Sequence, residues 1–361
     1  MVDGLEPRSV ERPRSEEELA RLLAEAARDG QAVIPVGGGR LLGMGDPPER
    51  FDLALETAGL AEITEQSTAD MTVSVQAGVT LERLNAELGK GGQFLPLDPF
   101  AAPGHTIGGL LATGCSGPLR MRYGTARDFL IGLRVALPDG KLASSGGRVV
   151  KNVSGYDLNK LHLGALGSCG VVVAASFKVF PRPLHEVTVE SDGGWQEAAR
   201  ALALKLPPVA LELASSGRLV ARLAGSESAV KRTAAELGWA ETDPKFWAEH
   251  AARASDRWAR ISVPAGALPE VLAALPGSAD WWASPGVGVA QWFDAGDAET
   301  VTIARRAAEA AGGSLVLLAA PLALKRQVGA WGTPPPTIDL MRRLRDAFDP
   351  GRTISPGRFV V

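Results

Sequence analysis

The sequence predicts an α+β fold built from more than one domain, and three observations support that prediction. The chain has 361 residues, which at roughly 150 residues per domain indicates two or three domains. Helical and strand-like patterns alternate along the chain, as they do in folds that pack helices on sheets. Clustered glycines occur mainly in the first half, whereas all eight Trp lie at or beyond Trp195.

Two proline-rich segments mark the expected domain boundaries. The segment Phe180-Pro181-Arg182-Pro183 does not easily continue a strand or a helix, and a second break follows at the three prolines 334–336. We therefore expect a first domain over 1–183, a second over 184–333 and a C-terminal segment over 334–361.

Charge, hydropathy and cysteine content exclude several kinds of partner and site, and the charges are nearly balanced. With 38 basic and 41 acidic side chains the formal net charge is −3, and no basic tract follows a phosphate backbone, so we expect no nucleic-acid partner. No uncharged apolar run reaches the roughly 18 residues that span a bilayer, so we expect no transmembrane segment. Cys115 and Cys169 cannot form a disulfide framework and lack metal-ligand spacing, which predicts no metal site and a cytoplasmic location.

The first domain is predicted to start with a helix and to continue with short strands. Ser15 and Glu18 fit a capping box, after which Leu19 and Leu22 begin a helical spacing that Gly30 ends. Further segments alternate apolar and polar residues or form short apolar runs, as strands do. Strands are predicted at 32–36, 71–77 and 130–137, and a second helix from residue 80 onward.

The second domain shows patterns in the order β-α-β-β-α-β, which is typical of the ferredoxin-like fold. No internal repeat stands out in the sequence. The predicted elements are a strand at 185–191, a helix at 195–206, a hairpin at 209–214 and 219–224, a helix at 226–237 and a strand at 260–263.

Four glycine-rich clusters carry the functional signal. The run 37–39 follows a predicted strand, but it has neither the Gly-Lys-Ser/Thr of a P-loop nor the G-x-G-x-x-G of a Rossmann fold, and alone it fits a tight turn equally well. Glycines let backbone N–H groups approach a flat or anionic ligand, and one large, elongated cofactor would explain all the clusters together. The other clusters are 103–117, 120–128 and 151–158 with 164–172.

In these clusters the sequence resembles the FAD-binding domain of the vanillyl-alcohol-oxidase (PCMH) type. The resemblance covers residues 10–183 and implies FAD extended between two α/β subdomains split near residue 60, followed by a short ferredoxin-like α/β cap domain. The segments 128–132 and 150–158 are similar to the FAD-binding subunits of bacterial glycolate oxidases. The closing segment 348–359 is similar to the family's closing motif, which returns to the flavin domain.

The resemblance also implies a non-covalent FAD site. Relatives that bond FAD covalently often place His where Arg40 stands, so we expect no covalent bond here. The resemblance further implies that the backbone of 37–41 binds the diphosphate and that Arg358 reaches the isoalloxazine region. Ser355 replaces the Asn that is usual before Pro-Gly-Arg, which weakens the assignment of that contact. The implied cofactor-binding residues are Val36, Gly37, Gly38, Gly39, Arg40, Leu41, Pro103, Thr106, Ile107, Gly108, Gly109, Ser116, Gly117, Tyr123, Gly124, Gly164, Gly167, Gly170, Val172 and Arg358.

Groups for substrate chemistry are sparse. Oxidation of a 2-hydroxy acid needs a base, usually His, and a cation, usually Arg, for the carboxylate. The chain has four His; His105 lies in a flavin motif and is a candidate with Tyr156, although packing of its loop explains His105 as well. No pair of His has metal-ligand spacing, so the catalytic residues are otherwise unassigned.

We therefore expect the FAD-binding subunit of a glycolate oxidase-like complex that oxidises glycolate or a related 2-hydroxy acid. The resemblance implies two partners, a sister FAD-binding catalytic subunit and an iron–sulfur subunit, in the cytoplasm or peripherally at the inner membrane through those partners. Two alternatives stay open: a free-standing FAD-dependent dehydrogenase of another hydroxy acid or sugar lactone, and a non-catalytic scaffold that keeps the FAD fold.

Overall fold

The computed structural model describes residues 1–147 and 157–361, which form two compact units. The first unit comprises Met1–Ser116, Thr125–Pro181 and Thr333–Val361, and the second comprises Gly117–Gly124 and Arg182–Gly332. Gly117–Gly124 thus lies outside the first unit although the sequence places it inside 1–183. The reason is that Met121 packs against the apolar core of the second unit.

A small parallel sheet opens the first unit, with its three strands in the order β1-β3-β2. Its elements are β1 (Ser9–Glu11), α1 (Glu16–Arg28), β2 (Val33–Val36), β3 (Leu53–Glu56) and a 3-10 turn at Thr57–Gly59. Leu19 and Leu23 of α1 are fully buried. Ser15 caps α1 through its hydroxyl as predicted, but the Glu18 carboxylate accepts from the N–H of Arg14 instead of that of Ser15.

A five-stranded antiparallel sheet forms the second half of the first unit, in the order β4-β5-β9-β7-β8. The strands of this sheet are β4 (Ile63–Ser67), β5 (Thr72–Gln76), β7 (Leu130–Ala136), β8 (Leu142–Gly146) and β9 (Val171–Lys178). This half also contains the helices α2 (Leu81–Gly89), α3 (Ile107–Thr113), α5 (Ala126–Phe129) and α6 (Asn159–His162), and a separate antiparallel pair of β6 (Gln93–Phe94) and β10 (Phe180–Pro181). The α1 helix packs on both sheets, since its buried leucines share one core with Leu53 and Val173. The predicted two-subdomain arrangement is confirmed.

The C-terminal segment extends the small parallel sheet. After α13 (Ile338–Phe348) the chain turns, and Ile354 forms a parallel bridge with Val33 of β2. Asp349 is fully buried at this turn, and its carboxylate accepts the backbone N–H groups of Thr353 at 2.9 Å and Ile354 at 2.7 Å. A buried carboxylate therefore fixes the path of the tail along β2.

An eight-stranded antiparallel sheet forms the second unit, in the order β14-β11-β13-β12-β16-β17-β15-β18. Its strands are β11 (His185–Ser191), β12 (Ala210–Ala214), β13 (Leu219–Gly225), β14 (Ala240–Glu241), β15 (Trp258–Ser262), β16 (Asp280–Ser284), β17 (Val289–Phe293) and β18 (Ser314–Ala319). Its helices are α4 (Arg120–Tyr123), α7 (Gly194–Leu202), α8 (Glu227–Leu237), α9 (Phe246–Ala251), α10 (Leu268–Ala273), α11 (Ala298–Ala310) and α12 (Leu322–Val328). Across the described parts of both units, no helix is long and apolar enough to cross a bilayer.

The large sheet consists of two ferredoxin-like motifs side by side. The first has the strand order β14-β11-β13-β12, and the second has the equivalent order β18-β15-β17-β16. The predicted β-α-β-β-α-β motif is confirmed, but its last strand is Ala240–Glu241, and the segment 260–263 belongs to the second motif. The sequence did not indicate this repeat because the closing strand of the first motif is only two exposed residues long and has no apolar periodicity.

Replacing Asp349 by Ala should leave two buried N–H groups without an acceptor and lower the free energy of unfolding of the first unit by about 3 kcal/mol. Asp346 on α13 is a matched control, because it is exposed and its carboxylate lies 3.6 Å from Arg352. Asp346→Ala should change the same quantity by less than about 0.5 kcal/mol. Hydrogen exchange of first-unit peptides in urea is the appropriate measurement, since all eight Trp lie beyond residue 194 and report on the second unit. Equal effects of the two variants would show that Asp349 does not hold the tail.

Candidate functional site

One groove in the first unit collects residues from separate parts of the chain. It offers a cavity of about 70 Å³ and adjoins a second section of about 50 Å³, because Pro35, Gly37, Gly109, Ala112 and Leu166 line both. The other residues of the first section are Gly38, Gly39, Arg40, Leu41, Leu42, His105, Thr106, Thr113 and Arg358. Those of the second section are Thr57, Gly108, Gly167, Val171 and Val172.

The first and second glycine clusters are pressed against each other at this groove. A Cβ on Gly37 would lie 2.2 Å from Thr106 Oγ1, and one on Gly38 would lie 1.8 Å from the carbonyl oxygen of Gly104. The N–H of Gly38 donates to Thr106 Oγ1 at 3.3 Å. These glycines are therefore required by the contact between the two loops, which leaves no room for a side chain.

Helix α3 supplies the small residues of one wall. Thr106 Oγ1 also accepts the N–H of Gly109 at 3.3 Å and so caps the helix. Gly109, Ala112 and Thr113 all line the groove, as expected for positions i, i+3 and i+4 on one helical face. Small side chains on this face leave the groove open along the helix.

Within residues 1–147 and 157–361, the cations that line the groove are Arg40 and Arg358, and no Asp or Glu lines either section. Arg358 is buried, and its Nη2 donates to the carbonyl oxygens of Leu42 at 2.5 Å and Met44 at 2.6 Å. Burial lowers the pKa of Arg358 to about 10, so the group stays charged at neutral pH. A lining with positive and no negative side chains favours an anionic ligand.

The second section of the groove, called the inner section below, is lined mainly by apolar residues and contains a strained backbone. Leu166 lines both sections at φ +50°, a region that L-residues rarely adopt. Ser355 is also left-handed, at φ +49°, and its hydroxyl donates to the carbonyl oxygen of Leu166 at 3.1 Å. Asn tolerates this conformation better than Ser, which gives a physical reason for the Asn that the resemblance leads one to expect at 355.

The four His lie in described residues, and their contacts indicate packing roles. His105 lines the groove, but its Nε2–H donates to the carbonyl oxygen of Phe100 at 2.7 Å, which fixes the ring to its loop, and burial lowers its pKa. His162 is buried, and burial lowers its pKa to about 4. His250 contacts Glu212 at 3.0 Å and His185 is exposed. Within the described ranges, no group of three or more His, Cys, Asp or Glu is arranged to hold a metal ion.

The structure brings most of the predicted cofactor residues together. Those that line the groove are Gly37, Gly38, Gly39, Arg40, Leu41, Thr106, Gly108, Gly109, Gly167, Val172 and Arg358, and the catalytic candidate His105 lines it as well. Those that do not line either section are Val36, Pro103, Ile107, Ser116, Gly164 and Gly170, all in the first unit. Gly117, Tyr123 and Gly124 belong to the second unit, and Tyr156 lies outside the described residues, so their roles stay predictions.

Sequence reasoning missed several lining residues: Pro35, Leu42, Thr57, Ala112, Thr113, Leu166 and Val171. Helical spacing from Gly109 would have found Ala112 and Thr113. Pro35 and Thr57 lie at the carboxyl ends of the parallel strands β2 and β3, where ligands commonly bind in α/β sheets. Leu166 has no comparable signal, because its place depends on a backbone conformation that its residue type disfavours.

Comparison with known proteins supports a flavin site. A family described as FAD binding domain matches residues 7–146. The glycolate oxidase subunit GlcE of Escherichia coli is 31% identical over 310 residues, which cover 82% of this chain and 84% of GlcE. The glycolate oxidase subunit GlcD of Bacillus subtilis is 34% identical over 212 residues, which cover 57% of this chain and 45% of GlcD.

Other relatives share only part of their length with this chain. The mitochondrial D-lactate dehydrogenase [cytochrome] of Arabidopsis thaliana is 35% identical over 175 residues, which cover 48% of this chain and 30% of the relative. A solved structure of alkyldihydroxyacetonephosphate synthase has the same fold, with a TM-score of 0.72 and 17% identity over 97% of this chain and 77% of that one. The chain belongs to the PCMH-type family of FAD-binding flavoproteins that includes GlcE, and FAD is its cofactor.

Proposed function

We propose that this chain is the FAD-binding subunit of a complex that oxidises glycolate or a related 2-hydroxy acid. The similarity to GlcE, which spans most of both chains, supports the subunit role. The relatives named D-lactate dehydrogenase and D-2-hydroxyglutarate dehydrogenase support the substrate class, because both names denote 2-hydroxy acids. The observation that carries the proposal is the groove in which the separate glycine loops meet.

The groove fits FAD in its chemistry. The segment 37–41 offers backbone N–H groups and a cation for the diphosphate, and the inner section around Leu166 and Val172 offers apolar walls for a planar ring. FAD, when bound, supplies a two-electron acceptor for the alcohol carbon of the substrate. The protein would hold the cofactor, exclude water and fix its orientation.

Non-covalent binding is part of the proposal. Among the described residues, no Cys lines either section, and the lining His is His105, whose Nε2–H donates to the carbonyl oxygen of Phe100. Arg40 stands where the resemblance places His in relatives that bond FAD covalently. The position of that His therefore holds no nucleophile for covalent attachment of FAD, because a guanidinium stands there.

We propose that the base that accepts the hydroxyl proton of the substrate belongs to a sister FAD-binding subunit. The His contacts described above leave no histidine of this chain in an evident general-base arrangement, whereas the similarity to GlcD supports a related partner of the same complex. The iron–sulfur subunit, and a cytoplasmic or membrane-peripheral location, follow from the sequence resemblance and belong to the same proposal. Electrons from the substrate would then leave through these partners.

Gly38→Ala should lower the FAD content of the purified chain at least about tenfold, because the added Cβ would meet the Gly104 carbonyl and separate the two loops. Gly277→Ala is the matched control, since Gly277 is exposed, a Cβ there meets no described atom within 4 Å and its φ is not left-handed. Bound flavin per chain is measured by absorbance after gel filtration, with circular dichroism confirming that both variants are folded. A folded Gly38→Ala chain with full flavin content would show that FAD binding does not depend on the contact between the two loops.

Reduction of the bound flavin tests the division of labour between subunits. The isolated chain should bind FAD, yet anaerobic glycolate or D-lactate should reduce that flavin at least about a hundredfold more slowly than in the complex assembled with the sister subunit, because the base for the hydroxyl proton lies in the sister. Stopped-flow absorbance measures both rates. Equal rates would contradict the division and favour a free-standing dehydrogenase, whereas a chain that never takes up FAD would favour a scaffold.

A further inference from the structure

We infer that Ser355 is a positioning residue for FAD: its hydroxyl holds the left-handed backbone of Leu166, whose side chain lines both sections of the groove. Ser355 itself lines neither section, so its effect on a ligand passes through Leu166. The inference rests on the proposed binding of FAD in this groove, and it assigns to the C-terminal tail a part in that binding.

The backbone of Leu166 is held from two sides. Its N–H donates to the carbonyl oxygen of Ala112 on α3 at 2.9 Å, and its carbonyl oxygen accepts the Ser355 hydroxyl at 3.1 Å. The tail therefore supplies one of the two hydrogen bonds that fix this residue. Without the hydroxyl, the carbonyl oxygen of Leu166 would lose a buried donor, and the bond to α3 would be left to hold the backbone.

The conformation of Leu166, at φ +50°, is one that glycine adopts at lower cost. Three other residues of the same segment have positive φ, and all three are glycines: Gly164, Gly167 and Gly170. A Cβ makes a left-handed backbone unfavourable, so the surrounding structure must hold the leucine in it. Its Cδ1 lies 2.9 Å from where a Cβ of Gly45 would stand, so the side chain occupies the space beside that glycine. The strained backbone thus places an apolar side chain at the junction of the two sections, where a ligand that spans both must pass.

The Ser355 hydroxyl is presented by a backbone that is anchored independently of Leu166. The N–H of Ser355 donates to the carbonyl oxygen of Val33 on β2 at 2.8 Å, and its carbonyl oxygen accepts the N–H of Arg358 at 3.1 Å. Strand β2 ends at Val36, directly before the glycine loop. Loss of the hydroxyl should therefore leave the tail docked on β2 while it releases Leu166.

Substitutions at position 355 separate the hydroxyl from the backbone strain, because Ser355 is itself left-handed at φ +49°. Ser355→Gly removes the hydroxyl and relieves the strain, whereas Ser355→Ala removes the hydroxyl and keeps the strain. Ser355→Asn tolerates the conformation and offers an amide N–H as donor. A positioning role therefore predicts equal loss of FAD affinity in the Gly and Ala variants, although the Gly variant is the more stable of the two.

FAD affinity and stability are measured on the same variants of the full chain. Flavin fluorescence gives the dissociation constant of FAD, and hydrogen exchange of first-unit peptides gives the urea midpoint and the protection of 164–170. Ser355→Gly and Ser355→Ala should each weaken FAD binding at least about fivefold and speed exchange in 164–170, with the lower urea midpoint in Ser355→Ala. Ser355→Asn should bind FAD within about twofold of the parent chain, because the donor is retained.

Thr353→Ala is the matched control, because Thr353 is buried in the same tail and lines a separate pocket beside α1 instead of the groove. It should lower the urea midpoint of the first unit without changing the FAD affinity. FAD affinities that follow the urea midpoints across the four variants would overturn the proposal. Unchanged affinity in Ser355→Gly and Ser355→Ala, or a folded Ser355→Asn chain that binds FAD as weakly as they do, would overturn it as well. A parent chain that binds no FAD would instead contradict the proposed function, independently of Ser355.

Discussion

The site of this protein depends on the contact between two glycine loops. Gly37 and Gly38 approach Thr106 and Gly104 so closely that no Cβ fits between them. One hydroxyl, Thr106 Oγ1, accepts N–H groups from both sides, that of Gly38 and that of Gly109 at the start of α3. The end of β2 and the start of α3 are thereby fixed together, and the groove runs beside that junction.

The remaining walls are held by buried polar groups instead of by apolar packing alone. Asp349 directs the tail along β2, Ser355 bonds the strained turn at Leu166, and Arg358 fixes the carbonyls of the 42–44 loop. Each left-handed non-glycine residue costs of order 1–3 kcal/mol. Such strain persists only where the surrounding structure determines it, and two of the left-handed non-glycine residues, Leu166 and Ser355, lie at or next to the groove.

The glycine clusters predicted the cofactor correctly, but the structure gives a different first reason for the glycines at 37 and 38. Sequence reasoning expected glycines because a phosphate approaches the backbone, whereas Gly37 and Gly38 are required first by the neighbouring loop. The residues around 37–41 and 103–109 could be predicted because composition alone marks them. Leu166 and Thr57 could not, since their positions follow from tertiary contacts that leave no local pattern.

In the second unit, too, features set by long-range contacts could not be predicted from the local sequence pattern. Its first ferredoxin-like motif was predictable from alternating apolar residues, but the second motif was missed because β14 has only two exposed residues. The placement of Gly117–Gly124 with this unit was also not predictable, since the packing of Met121 is a long-range contact. Local periodicity therefore identified elements, and long-range packing decided how they are assigned.

Hydrogen exchange of the chain with and without FAD tests most directly whether the separate loops bind one ligand. We predict that FAD slows exchange together in 37–42, 104–113 and 166–172, and that the second unit beyond residue 182 is unaffected by comparison. Protection confined to a single one of these segments, or located elsewhere while they exchange freely, would contradict the account.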